Sequence, residues 1–243
     1  MPPLINITIP VFNEERRLPK SIRRLHAFIT ENILQPWEIV IANNGSTDET
    51  LKVARLLEKD HANVRVENLA CKGRGGALKR VWTESKADIL AYMDCDLSTE
   101  LDCFKPLIAP LLCGSHDLAV GSRLLADSVT RRGFKRSFIS VSYNRLLKAA
   151  FNIHFSDAQC GFKAITRSAF RELAPLVQDD RWFMDTELLI WAEKLGYRIH
   201  DLPVRWTDDP DSKVKILPTI MGDLSGLIRV KRNLGRRKCT AIV

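Results

Sequence analysis

Five short apolar runs recur along the first half of the chain, near residues 5–9, 38–42, 64–68, 89–94 and 117–121, each rich in Ile, Val and Leu. Runs of this length and composition belong to strands buried on both faces, and strands that alternate with helices join in parallel through right-handed crossovers. Helical periodicity fills the gaps. Leu18, Ile22, Leu25, Phe28 and Ile29 share one face, Leu51, Ala54 and Leu57 a second, and Ala77, Leu78, Val81 and Trp82 a third. The alternation predicts an α/β fold, doubly wound around a mostly parallel sheet. With 243 residues the chain has room for one sizeable core, so a single domain over residues 1–215 is expected, with 216–243 as an appendage.

The charge balance adds a partner class. Lys and Arg number 37 against 29 Asp and Glu, a net +8, which points to nucleic acid, a phosphorylated substrate or an acidic membrane surface. Six cysteines, at positions 71, 95, 103, 113, 160 and 239, form no CxxC pair and have no histidine at ligand spacing. Free thiols in a reducing compartment are expected, and no zinc site. The start Met-Pro-Pro-Leu-Ile-Asn lacks the basic segment and apolar core of a secretory signal. No segment approaches the roughly 20 apolar residues that cross a bilayer, so any membrane contact is expected to be peripheral, on the cytoplasmic face. Residues 124–135 and 206–215 are basic, poor in apolar side chains, and read as loops.

The fourth run ends in Asp94-Cys95-Asp96-Leu97-Ser98. Two carboxylates spaced i, i+2 at the C-terminal end of a strand repel each other unless a cation sits between them. Mg²⁺ or Mn²⁺ holding a diphosphate suits them, with Asp94 and Asp96 as ligands and Ser98 as a further oxygen. The plainer alternative is that Asp96 caps a helix starting near residues 98–100. The first strand ends in Pro10-Val11-Phe12-Asn13-Glu14 and the second in Asn43-Asn44-Gly45-Ser46-Thr47-Asp48-Glu49-Thr50. Capping explains much of both turns, with Ser46 or Thr47 opening a helix whose first turn carries Asp48 and Glu49. Capping does not require three such turns on one rim.

These segments, with Val120-Gly121-Ser122-Arg123, resemble in order and spacing the motifs of the inverting glycosyltransferases of family 2, which have the GT-A fold. Asp157-Ala158-Gln159-Cys160-Gly161-Phe162-Lys163, Phe183-Met184-Asp185-Thr186-Glu187-Leu188-Leu189 and Pro203-Val204-Arg205-Trp206 narrow the resemblance to the dolichyl- and polyprenyl-phosphate mannose and glucose synthases. It covers about residues 4 to 215.

The resemblance implies a nucleotide-sugar donor and a polyprenyl-phosphate acceptor, with Pro10, Phe12 and Glu14 lining the base and ribose pocket. Asn43 and Asn44 stand where the family usually has an aspartate; an amide offers one acceptor and one donor, which suits uracil better than guanine and inclines the reading to a UDP-sugar over a GDP-sugar. Lys72, with Gly73, Arg74, Gly75 and Gly76, forms a basic glycine-rich turn near phosphate. Cys95 sits between the metal aspartates. Arg123 stands at a phosphate-facing arginine, Arg136 and Ser140 at the pair set against the acceptor phosphate, and Lys213 at a lysine that closes over the diphosphate. An arginine common in the family six residues earlier is Thr207 here.

A lipid monophosphate is already an anion near pH 7 and attacks without a strong base, so Asp185, helped by Glu187, is expected to orient the acceptor or the sugar. A hydroxyl acceptor would instead need Asp185 as base. A nucleic-acid binder is the rival of another class, but the chain shows no recognition module and its basic loops flank an acidic pair. Ile216, Leu217, Ile220, Met221, Leu224, Leu227 and Ile228 form a stripe followed by Arg229, Lys231, Arg232, Arg236, Arg237 and Lys238. Such a helix either lies on an anionic leaflet or packs its stripe on the domain.

Overall fold

The computed structural model describes residues 2–70, 72–131, 133–208 and 216–240, without the side chains of 134–136, 216–221 and 237–240. The strands are β1 (Ile5–Val11), β2 (Trp37–Asn44), β3 (Val64–Leu69), β4 (Ile89–Met93), β5 (Leu118–Ser122), β6 (Val129–Arg131), β7 (Phe162–Thr166), β8 (Ile199–Pro203) and β9 (Arg205–Thr207). The helices are α1 (Leu18–Asn32), α2 (Thr50–Asp60), α3 (Arg74–Glu84), α4 (Phe104–Leu112), α5 (Phe134–Phe151), α6 (Arg167–Leu173), α7 (Met184–Lys194) and α8 (Ile216–Thr240).

Seven strands make one sheet in the order β3-β2-β1-β4-β7-β5-β8. All neighbours run parallel except β7, which lies antiparallel to both β4 and β5. The alternation of apolar runs located five of the seven strands and missed β7, which separates β4 from β5, and β8 at the edge. The basic stretch 124–135 is also more ordered than a loop, because its β6 pairs in parallel with β9.

Pleating sends alternate residues of each strand to opposite cores. Ile5, Ile7, Ile9 and Val11 join Leu18, Ile22, Leu25 and Ile29 of α1 on one face, while Val40, Ala42, Leu90 and Tyr92 meet Trp82, Phe170 and Trp191 on the other. Asn6 and Thr8 are buried on that second face and form a closed chain. Thr8 Oγ1 donates to Asn6 Oδ1 at 2.7 Å and accepts from Trp82 Nε1 at 3.2 Å, so these polar groups lose little on leaving water.

The helix starts differ from the capping expectations. α2 begins at Thr50, whose N–H is held by Asp48 Oδ1 at 3.0 Å. Ser46 Oγ instead accepts from the Asn13 N–H at 3.0 Å, and the Thr47 N–H donates to Asn13 Oδ1 at 2.8 Å, so both tie the first rim turn to the second. Asp96 caps no helix at 98–100: a 3-10 turn starts at Leu101 and α4 at Phe104.

Candidate active site

Register brings the rim together. Val11 pairs with Asn43 across β1 and β2, and Asn43 with Asn68 across β2 and β3, so the turns after Val11 and Asn44 and the Asp94 turn after β4 open on one edge. Pro10 is still within β1, opposite Ala42. Beyond it, the Lys72 ammonium lies 3.7 Å from the centre of the Phe12 ring, an arrangement in which the ring face attracts the cation. The Glu14 main chain accepts from the Arg17 and Leu18 N–H groups and donates to Thr50 Oγ1 at 2.8 Å, and its carboxylate is 3.7 Å from Arg17.

The two asparagines are 2 % and 5 % exposed. Asn43 Nδ2 donates to Asn68 Oδ1 at 2.7 Å, and Asn44 Oδ1 accepts the Gly73 N–H at 2.6 Å. Asn43 Oδ1 is buried with no partner among the described residues, which leaves it as an acceptor for a base edge.

Asp94 and Asp96 are half-buried at the end of β4. Asp96 Oδ1 accepts the Ser98 N–H at 2.9 Å, and Leu97 between them has φ +51, a left-handed conformation costly for a leucine and common where a turn is shaped by function. Ser98 Oγ is buried without a hydrogen-bond partner among the described residues. No group of three or more His, Cys, Asp or Glu clusters for a metal among the described residues. Two carboxylates and a hydroxyl are nonetheless hard oxygen donors, and Mg²⁺ or Mn²⁺ completes such a partial set with phosphate oxygens and water, so the residues fit a cation that arrives with a diphosphate. Cys95 turns inward: burial pushes its thiol up to about 12, with the Glu14 and Asp96 charges adding to the rise, so it offers the rim its backbone and not a thiolate.

A buried ionic chain runs behind this edge. Arg74 Nη2 meets Asp94 Oδ1 at 3.1 Å and Arg74 Nη1 meets Asp185 Oδ2 at 2.7 Å. Asp185 Oδ1 accepts from the Tyr92 hydroxyl at 2.6 Å and faces the Lys163 ammonium at 3.7 Å. Burial alone would raise the Asp185 pKa, but Lys163 and Arg74 outweigh it and hold the carboxyl below its ordinary value. Glu187, expected to assist Asp185, is tied elsewhere. Its Oε2 accepts the N–H groups of Gln178 at 3.0 Å and Asp179 at 2.8 Å, and Arg229 Nη2 of α8 at 2.9 Å.

Arg123 directs its fork at Asp157, with Nε at 2.7 Å and Nη2 at 2.9 Å from the two carboxylate oxygens. Ser140 is buried in α5, its carbonyl accepting from Asn144 Nδ2 at 2.9 Å, and Asn144 Oδ1 in turn accepts the Ala158 N–H at 3.0 Å. The side chain of Arg136 and all of Lys213 lie outside the described residues. The strand before Lys213 is described, and it docks on the aspartate turn through the Thr207 N–H on Ser98 O at 2.9 Å.

Residues 157–163 organise more of the site than their part in the resemblance foretold. Asp157 holds Arg123, the Cys160 carbonyl accepts from Lys163 Nζ, and Gly161 leaves room for Asp94, whose carboxylate a Cβ there would overlap. Two signals in the sequence marked this chain of charge. Lys163 and Tyr92 each interrupt an apolar run, and a lysine in a central strand has to be paired.

The mostly parallel seven-stranded sheet, with one antiparallel strand inserted beside the carboxylate turn, has the GT-A fold of glycosyltransferases. The chain belongs to glycosyltransferase family 2, whose model, described as glycosyl transferase family 2, matches residues 6–174. Glycosyltransferase AglD of Haloferax volcanii is 34% identical over 230 residues, a match that covers 93% of this chain and 36% of that protein. The dolichyl-phosphate beta-glucosyltransferase of Drosophila melanogaster is 30% identical, covering 86% of this chain and 69% of its own, and that of Dictyostelium discoideum 28%, covering 93% and 73%. Among solved structures, glucosyl-3-phosphoglycerate synthase from Mycobacterium tuberculosis, in complex with Mn²⁺, UDP-glucose and phosphoglyceric acid, superposes with a TM-score of 0.67 at 21% identity, over 94% of this chain and 78% of that one. That likeness concerns the fold.

Proposed function

We propose that this chain transfers one hexose, with inversion, from a nucleotide sugar to a polyprenyl or dolichyl monophosphate at a membrane surface. The observation that carries the acceptor class is the state of Asp185. Its oxygens already face Arg74, Tyr92 and Lys163, and its pKa is lowered. A charged, enclosed carboxylate of low pKa is a poor general base, whereas a phosphate monoester needs none. The relatives named dolichyl-phosphate beta-glucosyltransferase support the same acceptor and favour glucose.

On this reading Phe12, Lys72 and the Asn43-Asn44 turn receive the nucleoside, with Pro10 and Glu14 beside them, and Asn43 Oδ1 is the acceptor left for the base. Asp94 and Asp96, with Ser98, hold Mg²⁺ or Mn²⁺, which supplies Lewis-acid stabilisation of the departing diphosphate. Lys213 and Arg123 add positive charge on that side, and Arg136 and Ser140 belong to the acceptor phosphate. Residues 1–215 form the catalytic unit and 216–243 the membrane-facing appendage. Among the described residues no helix is long and apolar enough to cross a membrane, and contact through a helix surface on the cytoplasmic face agrees with that.

The test is transfer of labelled glucose and mannose from UDP-glucose and GDP-mannose to a polyprenyl phosphate, with Mn²⁺ or with excess EDTA. The reading requires metal-dependent transfer to the lipid phosphate, with UDP-glucose the better donor. Transfer to a glycan hydroxyl instead, or activity undiminished by EDTA, would refute it.

A further inference from the structure

Arg74 opens α3, and nothing in the economy of a helix asks for an arginine there. A cation at a helix N-terminus opposes the macrodipole, and a guanidinium whose side chain is only 10% exposed has left most of its water. Local rules broken together at one residue mark a functional constraint. The glycines around it explain how the residue is placed. A Cβ on Gly75 would lie 2.5 Å from Met184 Cβ and 2.7 Å from the Arg181 carbonyl, and one on Gly73 would lie 2.6 Å from the Asp180 carbonyl. Only glycine lets the start of α3 abut the start of α7, and that approach brings Arg74 onto Asp185 in the first turn of α7.

The guanidinium also lies over two aromatic rings, 4.9 Å from the Tyr92 ring centre and 4.8 Å from that of Trp182. One prong of the fork holds Asp94, in the carboxylate turn, and the other holds Asp185, buried behind it. Lysine could reach one of these carboxylates but could not span both with fixed geometry.

We propose that Arg74 is a positioning residue that locks Asp94 and Asp185 at a set separation and serves as the resident counter-ion of Asp94 until a divalent cation shares that carboxylate. The proposal rests on the donor site placed at Asp94 and Asp96 above. It makes the arginine a competitor of the metal in the empty enzyme and an organiser of the two halves of the site in the loaded one.

The experiment titrates Mn²⁺ into the full chain without donor, followed by the EPR signal of the free ion, and measures kcat and KM for sugar transfer, in wild type, R74Q and R74K. R74Q removes a positive neighbour of Asp94 and is expected to bind Mn²⁺ about threefold or more tightly. Its kcat is expected to fall about a hundredfold, as a misplaced reacting geometry does. R74K keeps the charge, so its Mn²⁺ affinity stays within about twofold of wild type while kcat drops about tenfold or more. Tighter metal binding together with slower turnover is a pattern that mere loss of packing does not produce.

Mn²⁺ binding that is unchanged or weaker in R74Q overturns the counter-ion role. A kcat within about twofold of wild type in either variant overturns the positioning role. If R74Q does not fold by circular dichroism, R74K decides alone; if neither folds, Arg74 is a strut of the core and the proposal fails. A wild-type chain that binds no Mn²⁺ and transfers no sugar refutes the donor site itself, an outcome separate from all of these.

Discussion

The Asp185 carboxylate sits 2% exposed between two cations and a phenol, and against the cost of burial Lys163, Arg74 and the Tyr92 hydroxyl hold its pKa below the ordinary value. Asp185→Asn keeps the shape and removes the charge, leaving Arg74 with Asp94 alone and the buried Lys163 without the carboxylate it faces, so unfolding in urea at pH 7 should show a loss of about 3 kcal/mol. The folded pKa lies below the ordinary 3.8. The carboxylate's contribution is therefore present above pH 3.8 and is lost as pH falls through the folded value, so the gap between wild type and D185N should narrow in acid. Turnover in D185N should not recover as pH is raised; recovery would assign Asp185 the work of a base. Asp96→Ala tests the other end of the site. Asp96 is half-buried on the rim, where its Oδ1 accepts the Ser98 N–H, and a rim carboxylate contributes little to the core, so the variant should keep most of its melting temperature and lose transfer. Retained activity would remove Asp96 from the cation turn. The acidic pair was legible from sequence because its meaning is local, two carboxylates at a strand end. Arg74 and Lys163 were not assigned, because what fixes Arg74 is an aspartate 111 positions away, and no spacing rule reaches that far.

The helix α8 was expected either to lie on a leaflet or to pack on the domain, and its described part packs. Val230 is fully buried, Leu227 nearly so, and Gly226 lies against the Phe183 ring, where a Cβ would approach to 2.3 Å. The stripe read from periodicity is therefore split, since Leu224 and Ile228 stay exposed while Leu227 is covered. Arg229 anchors the helix to Glu187, whose carboxylate is itself fully buried. Arg229→Ala should cost about 2 kcal/mol in urea denaturation, because the buried Glu187 Oε2 then loses its guanidinium partner and keeps the N–H groups of Gln178 and Asp179. Truncation after Lys215 should destabilise further by uncovering Phe183 and Glu187, whereas a helix that only touched lipid could be removed without loss. A second anchor is a carboxyl whose pKa is raised by burial. Asp223 accepts from Gln159 Nε2 at 2.7 Å, and burial raises its pKa from 3.8 to about 6. With the folded value above the unfolded one, the stabilisation is full below pH 3.8 and lost as pH rises through about 6. Asp223→Asn should flatten the pH dependence of stability between those limits, and an unaltered slope would place the titrating group elsewhere. β1, β2, β4 and β5 were legible because each carries an apolar run, and β3 because its valines alternate with polar residues; β8, Ile199-His200-Asp201-Leu202-Pro203, has no such run and was missed. β7 was missed as well, since Phe162-Lys163-Ala164-Ile165-Thr166 is a short run broken by a lysine, and that lysine is neutralised only by tertiary partners.

At the scale of the molecule, the net charge of +8 is divided between cations engaged inside the site and cations left on the surface. Arg74, Arg123 and Lys163 are paired with carboxylates within the fold. Arg145 and Lys148 of α5 and Lys231 and Arg232 of α8 are exposed, on helices joined through the contact of Tyr143 with Asp223. The same helices expose apolar side chains, Phe138 at 65% and Ile228 at 72%. Apolar groups beside basic ones are what an anionic lipid surface binds, at about 1 kcal/mol per basic residue near the membrane. The full chain should therefore sediment with vesicles containing anionic lipid and leave them as salt rises, because screening at physiological ionic strength acts over about 8 Å. Ile228→Asp, a surface change outside the site, should weaken vesicle binding about tenfold, given the roughly 1.5–3 kcal/mol that burying such a side chain contributes. Transfer to a short, water-soluble polyprenyl phosphate should be unchanged in this variant, and transfer to a long-chain acceptor held in vesicles should fall with the binding. Equal affinity for neutral and anionic vesicles, or an I228D variant that binds as wild type does, would move the membrane contact off α8 and require the lipid phosphate to reach Asp185 and the cation turn from another side.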